Sequence, residues 1–386
     1  MKSINLKIGI VSDSFLPQIG GAEIHVKNLA TFLKNANYNV EIFTNTLGNP
    51  DFNGIRVFRN IKKGFKLFRF FRDFNNLWHF IKKQDIIHGH YTFYLSFLSG
   101  LICKLFKKPI IITLHGFGTL DSSVNKYFRR KIYRYFSFKF ADAVIATSDE
   151  MADVARRFVK ENKIFIISNG VDTLDFKPNQ ELDIKGKKIV VLSMRRLNPK
   201  NGVQYLIECI PFVVEKFKNI EFLISGKERL EDYLKNRVKE LNIEKFVKFI
   251  GDIPNEKTKE YYEKSDIVVF PSSAESTSIA CLEAMSMKRC VVASALDVFK
   301  MMLGDNERGI LVKLFDRESS DYDAPLSLSK EKTKLLANTI ICLSEDNNLR
   351  VKLGENAREY VTGNYDWRNV IIKRLEKIYF ALLNKE

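Results

Sequence analysis

Short, continuous apolar runs alternate with longer stretches of helical periodicity along nearly the whole chain. Continuous apolar runs predict strands that are buried on both faces, and the amphipathic stretches between them predict the helices that cover those faces. The strand-like runs cover residues 6–11, 40–44, 55–59, 85–88, 109–114, 143–147 and 163–168, and then 189–194, 220–225, 246–250, 266–270, 289–294 and 310–312. This alternation predicts an α/β protein with parallel sheets.

A polar segment divides the alternation into two parts. Residues 177–188 are rich in charge and contain Pro178 and Gly186, which is typical of an interdomain linker. A length of 386 residues also favours two domains over one. We therefore expect two successive α/β domains that face each other across a cleft, followed by an amphipathic helix over residues 365–383.

The charge balance indicates anionic partners. Lys and Arg number 62 against 46 Asp and Glu, a net charge of +16, and this balance favours nucleotides, nucleic acids or acidic lipids. The charge is not concentrated in one tail, which argues against a disordered basic arm. The five cysteines are dispersed and predict buried free thiols in a reducing compartment, not disulfides or a zinc site.

Two observations bear on the membrane. The first residues of the chain lack the apolar core of a signal peptide. The apolar run over residues 91–103 is too short to span a bilayer, so it predicts a buried crossover helix. We therefore expect a cytoplasmic protein, either soluble or peripheral on the inner face of the cell membrane.

Several polar residues follow the predicted strands of the first domain directly. In parallel α/β sheets, ligands bind outside the carboxyl ends of the strands. The residues expected at this edge are Asp13, Gly20, Gly21, His88, His90 and His115. The sequence predicts that the imidazole of His115 faces the crevice, whereas for His88 and His90 a structural hydrogen bond is the favoured interpretation.

A stretch in the second domain combines a strand, a break and a helix start. Pro271 ends the apolar run 266–270 because it has no N–H to donate, and a helix is predicted from Ile279. Candidate caps for this helix are Ser276, Thr277 and Ser278. Backbone N–H groups at such a junction can bind phosphate, and Glu275 and Glu283 beside it can hold sugar hydroxyls. The alternative is that Glu275 only complements the helix dipole and Glu283 lies on the surface.

A basic loop follows the strand-like run 189–194. It contains Arg195, Arg196, Lys200 and Asn201 and leads through Gly202 into a helix. Arginine and lysine at a helix start beyond a strand predict a diphosphate-binding clamp. A basic surface turn is the alternative.

A basic, aromatic stretch covers residues 62–83, with aromatic and aliphatic residues at three- and four-residue steps. Such a helix can lie on an anionic membrane surface. The alternative is an ordinary helix that covers the sheet. Residues 125–140 have the same character, whereas 315–330 form a polar loop with no recognisable chemistry.

The motifs together resemble the family 4 glycosyltransferases, which are retaining enzymes of the two-domain GT-B fold. The matching pieces are Gly20-Gly-Ala-Glu23, His115-Gly116, Asn169-Gly-Val-Asp172, Arg196-Leu197 with Gly202, and the pair Glu275 and Glu283 after Pro271-Ser272. They occur in the order of the family and cover nearly the whole chain.

The resemblance implies a role for each part of the chain. Residues 1–178 are implied to form an acceptor-side Rossmann-like domain, 187–362 a nucleotide-sugar domain, and 365–386 a helix that crosses back to the first. The implied catalytic residues are His115 beside the transferred sugar, Arg196 on the diphosphate and Glu275 on sugar hydroxyls. Glu283 is implied to hold both ribose hydroxyls. The other implied donor-binding residues are Gly20, Gly21, Lys200, Asn201, Ser276, Thr277 and Ser278.

The chain departs from the family at several positions. The family has a lysine where this chain has Asn201, next to Lys200. Ser278 and the segments 226–229 and 297–301 replace other family residues. GT-B enzymes generally need no metal, and we find no Asp-x-Asp that would carry one here, so we expect no metal and no cofactor beyond the nucleotide-sugar substrate.

The resemblance implies a retaining hexosyltransferase that moves a sugar from a nucleotide donor, with UDP slightly favoured over GDP, to a lipid-linked or glycan acceptor. Two alternatives come from other classes. One is a nucleotide-sugar 2-epimerase of similar fold, which would turn over its substrate without an acceptor. The other is a basic protein that binds membrane or nucleic acid; the absence of a nucleic-acid motif argues against the latter.

Overall fold

A computed structural model describes residues 6–18, 20–60, 66–116, 128–179, 188–275, 277–316 and 324–384, with the side chains of 66–68 left out. The described chain divides into two compact units. Unit 1 comprises Met1–Gly170 with Trp367–Glu386, and unit 2 comprises Val171–Asp366. Each unit is built around one sheet.

The sheet of unit 1 has eight strands in the order β3-β4-β2-β1-β5-β6-β7-β8. All pairs are parallel except β3 with β4. The strands are β1 (Lys7–Ser12), β2 (Asn39–Thr44), β3 (Asp51–Phe52), β4 (Ile55–Arg59), β5 (Ile86–His90), β6 (Ile110–Leu114), β7 (Ala143–Ala146) and β8 (Ile164–Ile166). The described helices are α1 (Gly21–Asn35), α2 (Lys66–Lys82), α3 (Tyr94–Leu105), α4 (Phe128–Phe140), α5 (Asp149–Arg156) and a 3-10 turn at Glu161–Lys163.

Helices cover both faces of this sheet, as continuous apolar strands require. Successive residues of a strand point to opposite faces, so Ile110 and Ile112 pack towards one core and Ile111 towards the other. One core contains residues of α2, α3, α4 and α5, and the other contains α1 and the C-terminal helix. The crossover helix predicted for 91–103 is confirmed as the largely buried α3.

Unit 2 repeats the plan with six parallel strands in the order β11-β10-β9-β12-β13-β14. The strands are β9 (Ile189–Met194), β10 (Ile220–Ser225), β11 (Val247–Gly251), β12 (Ile267–Phe270), β13 (Cys290–Ser294) and β14 (Ile310–Val312). The described helices are α6 (Val203–Lys216), α7 (Glu231–Glu240), α8 (Thr258–Lys264), α9 (Ile279–Ser286), α10 (Asp297–Leu303), α11 (Lys330–Glu345) and α12 (Asn347–Asn364), with 3-10 turns at Pro199–Asn201, Glu244–Phe246 and Asn255–Lys257.

The chain returns to unit 1 through a π-helical turn, Trp367–Ile371, and then α13 (Ile372–Leu383). The prediction of one amphipathic helix over 365–383 is therefore wrong in its first turns, where Trp367 is fully buried and stacks on Phe32 at 5.6 Å. Packing of this indole overrides the regular helical repeat at the start of the tail.

Three smaller expectations also need correction. Strand β5 extends to His90, so His88 and His90 lie inside the strand and not beyond its end. Cys342 is exposed, while the other four cysteines are buried, and all five are free thiols. Strand β3 was not predicted, because two residues carry no periodicity. Among the described residues, no helix is both long and apolar enough to cross a membrane.

Candidate functional site

In unit 2, two loops meet at the carboxyl edge of neighbouring strands. β9 and β12 are adjacent and parallel, so the loops that follow them emerge side by side. The backbone N–H of Ser273 donates to the carbonyl of Lys200 at 2.8 Å, which ties the two loops together. The sequence patterns after β9 and β12 thus form one site.

Two glycines allow this close approach. Gly202 has a φ of 73°, and a Cβ there would lie 1.9 Å from the carbonyl oxygen of Pro271. Gly226 has a φ of 124°, and a Cβ there would lie 2.0 Å from the carbonyl oxygen of Arg195. Both positions require glycine, because an L side chain would be strained and would also push the loops apart.

Arg195 occupies the centre of the unit 2 site. Its guanidinium forms an ion pair with Glu275 and also donates to Asn201 Oδ1 at 3.0 Å and Ser272 Oγ at 3.1 Å. The side chains of Arg195 and Glu275 are only 10% and 15% exposed. A charge pair so shielded from water is strongly coupled, and neither partner can be removed without cost.

The neighbouring Arg196 points elsewhere. Its side chain is 59% exposed and pairs with Glu228 at 3.3 Å. The sequence prediction chose Arg196 as the diphosphate cation, but in this structure Arg195 is the arginine that lies among the site residues. Asn201, at the position of the family lysine, is buried and joins both arginines: its amide donates to the carbonyl of Arg196 at 2.7 Å and its oxygen accepts from Arg195.

The start of α9 has a side-chain cap. Ser278 caps α9 by accepting a hydrogen bond from the N–H of Cys281 at 3.3 Å. Thr277 is half-buried beside it, and Ser276 lies outside the described residues. The capped helix directs its positive end towards the loop that carries Glu275.

Glu283 is buried inside α9, not on the surface. The hydroxyl of Tyr262 lies 3.0 Å from its Oε2 and 3.1 Å from the carbonyl of Ala280. Burial, followed by the charge of Glu283, raises the pKa of Tyr262 well above its usual value, so this hydroxyl keeps its proton and donates. Tyr262 therefore holds one carboxylate oxygen in place.

In unit 1, four of the five histidines of the chain form one buried cluster. His25 comes from α1, His88 and His90 from β5, and His115 from the loop after β6. His88 stacks on His90 with ring centres 4.9 Å apart, and His90 stacks on His115 at 5.2 Å. The residue His115 is 7% exposed.

Hydrogen bonds fix most of these rings. His90 Nδ1 lies 2.9 Å from His115 Nε2, and His25 Nδ1 lies 2.6 Å from Asn169 Oδ1. His88 Nδ1 and Nε2 contact the hydroxyls of Tyr379 at 2.7 Å and Thr113 at 2.6 Å. The favoured interpretation of His88 and His90 as structurally bonded histidines agrees with these contacts.

The cluster is electrically neutral. Burial lowers the pKa of His25 to about 4 and that of His88 to about 3. Burial, reinforced by the neighbouring imidazoles, lowers the pKa of His90 and His115 well below the usual value. Neutral imidazoles act as hydrogen-bond donors and acceptors, and they are also the form that binds metals.

Three of these rings could in principle hold a metal ion. Ligand nitrogens of His25, His90 and His115 lie within 4.8 Å of one another. Two nitrogens on one tetrahedral zinc are about 3.3 Å apart, given Zn–N bonds near 2.05 Å. The 2.9 Å contact of His90 with His115 is shorter and fits a hydrogen bond. The donor set suits zinc, but this spacing does not.

Gly20 and Gly21 begin α1 beside the cluster. Gly20 is the extended N-cap residue and Gly21 is the first residue of the helix. The hydroxyl of Ser14 donates to Glu23 in this first turn, and Asn45 donates to Asp13 at 3.0 Å. The loop after β1 is thus tied to the first turn of α1 through Ser14.

Sequence reasoning missed His25, Asn169 and Tyr262 as members of these two sites. His25 carries no local signal because it lies inside an ordinary amphipathic helix. Asn169 was part of a matched motif without a role, and Tyr262 is 21 residues from Glu283. Only the fold brings these partners together.

Comparison with known families decides the class of protein. Residues 176–360 match the family described as Glycosyl transferases group 1, and residues 19–174 match Glycosyltransferase Family 4. The chain belongs to the family 4 glycosyltransferases. It is therefore an enzyme of the transferase class, as the motifs predicted.

Individual relatives of this family 4 glycosyltransferase span almost its full length. The phosphatidyl-myo-inositol mannosyltransferase of Mycolicibacterium smegmatis is 26% identical over 97% of this chain and 93% of its own. An Escherichia coli UDP-Gal:alpha-D-GlcNAc-diphosphoundecaprenol alpha-1,3-galactosyltransferase is 24% identical over 98% and 97%. These relatives are transferases, which disfavours the epimerase alternative.

Solved structures establish the fold of this glycosyltransferase. The Anabaena protein HepE, in complex with UDP and glucose, superposes with a TM-score of 0.75 and 19% identity over 97% of this chain and 99% of its own. Together with the two parallel-sheet units, this similarity confirms the predicted GT-B class of two Rossmann-like domains.

Proposed function

We propose that this glycosyltransferase is a retaining hexosyltransferase that moves a sugar from a nucleotide donor to a lipid-linked or glycan acceptor. The observation that carries the proposal is the unit 2 site, where Arg195, Glu275, the capped start of α9 and Glu283 lie at one sheet edge. UDP is favoured over GDP as the donor nucleotide, because the names of the Escherichia coli relative and of the Anabaena complex both include UDP.

Unit 2 supplies groups suited to a nucleoside diphosphate. Loss of the diphosphate from the sugar concentrates negative charge on the phosphate oxygens in the transition state. Preorganised cations and helix dipoles stabilise that charge without reorganisation. Arg195 and Lys200 supply positive charge, and the helix start supplies N–H groups, so we propose that the transfer needs no metal ion at the diphosphate and no other cofactor.

The carboxylates bind hydroxyl groups in this proposal. Glu283, with one oxygen held by Tyr262, accepts hydrogen bonds from the ribose hydroxyls. Glu275 accepts from hydroxyls of the transferred sugar while its charge is balanced by Arg195. For the neutral imidazole of His115 we propose the role that the family resemblance implies, a contact with the transferred sugar.

The acceptor class rests on relatives. The names of the Mycolicibacterium and Escherichia coli enzymes contain phosphatidyl-myo-inositol and alpha-D-GlcNAc-diphosphoundecaprenol. We propose an acceptor of the same kind, a hydroxyl on a lipid-linked or glycan molecule, for this chain.

The test is transfer itself. Purified protein is incubated with UDP- and GDP-hexoses and polyprenyl-diphosphate or glycolipid acceptors, and the anomeric configuration of the product is read by NMR. We expect retention with a UDP-sugar. His115→Ala should lower kcat about 100-fold, because loss of one positioned polar contact has about this effect, while UDP affinity stays unchanged.

Three results would contradict the proposal. Inversion at the anomeric carbon would exclude the retaining mechanism. Conversion of the nucleotide sugar without acceptor would restore the epimerase alternative. An unchanged kcat for His115→Ala would remove the assigned role of that residue.

We also propose peripheral attachment to the inner face of the cell membrane through the basic aromatic helices of unit 1. Phe71 on α2 is 62% exposed, and Phe128 and Tyr135 on α4 are 77% and 51% exposed. Arg129 and Lys131 are exposed beside them. Exposed aromatic and basic side chains on one helix suit an anionic lipid surface; part of the predicted segment 62–83, residues 62–65, lies outside the described chain.

The membrane proposal predicts that the protein sediments with vesicles containing phosphatidylglycerol and that added salt releases it. Replacing Arg129 and Lys131 by glutamate should abolish sedimentation. The matched control replaces the exposed Lys239 and Lys245 of unit 2 by glutamate, which changes the net charge equally. Equal loss in both double variants would show a net-charge effect and contradict a binding face on α4.

A further inference from the structure

The hydrogen bonds of the histidine cluster specify where its protons lie. His90 Nδ1 and His115 Nε2 are 2.9 Å apart, so one of these nitrogens carries the proton and the other accepts it. Because burial keeps both rings neutral, each ring carries a single N–H. Two arrangements are possible, and they differ in which nitrogen of His115 is protonated.

The surroundings of His90 Nε2 distinguish between the two proton arrangements. His90 Nε2 is buried and has no hydrogen-bond partner among the described residues. An N–H left without a partner in the interior is rarer and costs more than a lone pair left without one. The proton of His90 therefore lies on Nδ1, where it is donated to His115 Nε2, and His115 must carry its own proton on Nδ1.

We propose that His90 is a positioning residue that holds His115 as its Nδ1–H tautomer and in one ring orientation. The proposal rests on the assigned role of His115 in transfer. It follows that a group of the donor or acceptor that meets the Nδ1 edge of His115 must accept a hydrogen bond, as a sugar hydroxyl oxygen can.

The surrounding contacts leave little freedom for either ring. His90 is sandwiched between His88 and His115, with interplanar angles of 7° and 19°. His25 approaches His115 edge-on at 4.7 Å and is itself held by Asn169. The two ring nitrogens of His88 contact Tyr379 and Thr113, not His115, so a partner of His88 provides a control.

Selective ¹⁵N labelling of histidine tests the proposal directly. The chain has only five histidines, and the exposed His79 on α2 gives an internal reference. Long-range ¹H–¹⁵N spectra of the ligand-free protein should show His115 protonated on Nδ1 and His90 protonated on Nδ1. This measurement does not depend on activity, so it can fail or succeed independently of the proposed function.

Variants of His90 connect the tautomer to transfer. His90→Phe keeps the ring volume but removes the N–H, so it should release the tautomer of His115 and lower kcat about 10- to 100-fold with KM little changed. His90→Asn should restore part of the activity, since its amide nitrogen can donate from nearly the position of Nδ1. Tyr379→Phe removes the hydroxyl that contacts His88 Nδ1 and should leave the His115 spectrum and kcat unchanged.

Three outcomes would overturn the proposal. One is a His115 protonated on Nε2 in the unaltered protein. Another is a His90→Phe variant that loses thermal stability but keeps the His115 tautomer and kcat. The third is stoichiometric zinc in protein purified without chelator and without added metal, which would make His25, His90 and His115 metal ligands instead.

Discussion

Replacing Arg195 by glutamine should lower kcat for sugar transfer by about 10²- to 10³-fold, the usual loss when one preorganised donor to a developing charge is removed. Arg195 is the nearly buried cation at the centre of the unit 2 site, and it is held by Glu275, Asn201 and Ser272. Steady-state kinetics with a UDP-sugar at saturating acceptor measures the effect. Arg195→Lys keeps the charge but loses the planar guanidinium, so its kcat should lie between that of the unaltered enzyme and that of Arg195→Gln.

Stability must be separated from catalysis in this experiment. Loss of Arg195 leaves Glu275 as a poorly solvated carboxylate without its cation, which destabilises the fold. The double variant Arg195→Gln with Glu275→Gln removes both charges, so its melting temperature should recover while kcat stays low. If Arg195→Gln retained normal kinetics and Arg196→Gln did not, the sequence-based choice of Arg196 as the diphosphate cation would be correct.

Replacing Glu283 by glutamine should raise the Kd for UDP by about 10- to 100-fold. The carboxylate is assigned to the ribose hydroxyls, and a hydrogen bond to a charged group contributes about 1.5–3 kcal/mol. Isothermal titration calorimetry measures the affinity. Tyr262→Phe removes the hydroxyl that holds one oxygen of Glu283 and should weaken UDP binding less.

The ligand provides a second control for Glu283. A 2′,3′-dideoxy analogue of UDP lacks both hydroxyls, so the unaltered protein and the Glu283→Gln variant should bind it with equal affinity. If the substitution weakened the analogue as much as UDP, Glu283 would act through the structure of α9 and not through the ribose.

The sequence predicted the framework of both units well, because buried parallel strands are continuous apolar runs. The runs 55–59, 189–194, 220–225 and 310–312 coincide with the observed strands. It also placed Glu275, Ser278 and Glu283 correctly relative to α9, since strand ends, proline and caps act over a few residues.

The sequence argument assigned the diphosphate to Arg196, whereas Arg195 is the arginine that contacts Glu275 and Asn201 in the structure. Arg195 and Arg196 have the same chemistry, and the backbone of Arg195 packs closely against Gly226, which is 31 residues away. Similarly, the ion pair of Arg195 with Glu275 joins residues 80 positions apart. Such contacts depend on the assembled sheet edge, and no local pattern contains them.

The neutral histidines also make the stability of the folded protein depend on pH. All five histidines lie in unit 1, and unit 2 has none. The folded pKa is about 4 for His25 and about 3 for His88, below an ordinary value of 6.5. As the pH falls below 6.5, these histidines become protonated in the unfolded chain but stay neutral in the folded unit. The free energy of unfolding therefore falls by up to about 1.4 kcal/mol per pH unit for each such histidine. Above pH 6.5 the histidines are neutral in both states, so this loss of stability disappears. Mild acidification should therefore inactivate this enzyme by unfolding its histidine-bearing unit first, and the melting temperature measured between pH 7 and pH 5 would follow this loss.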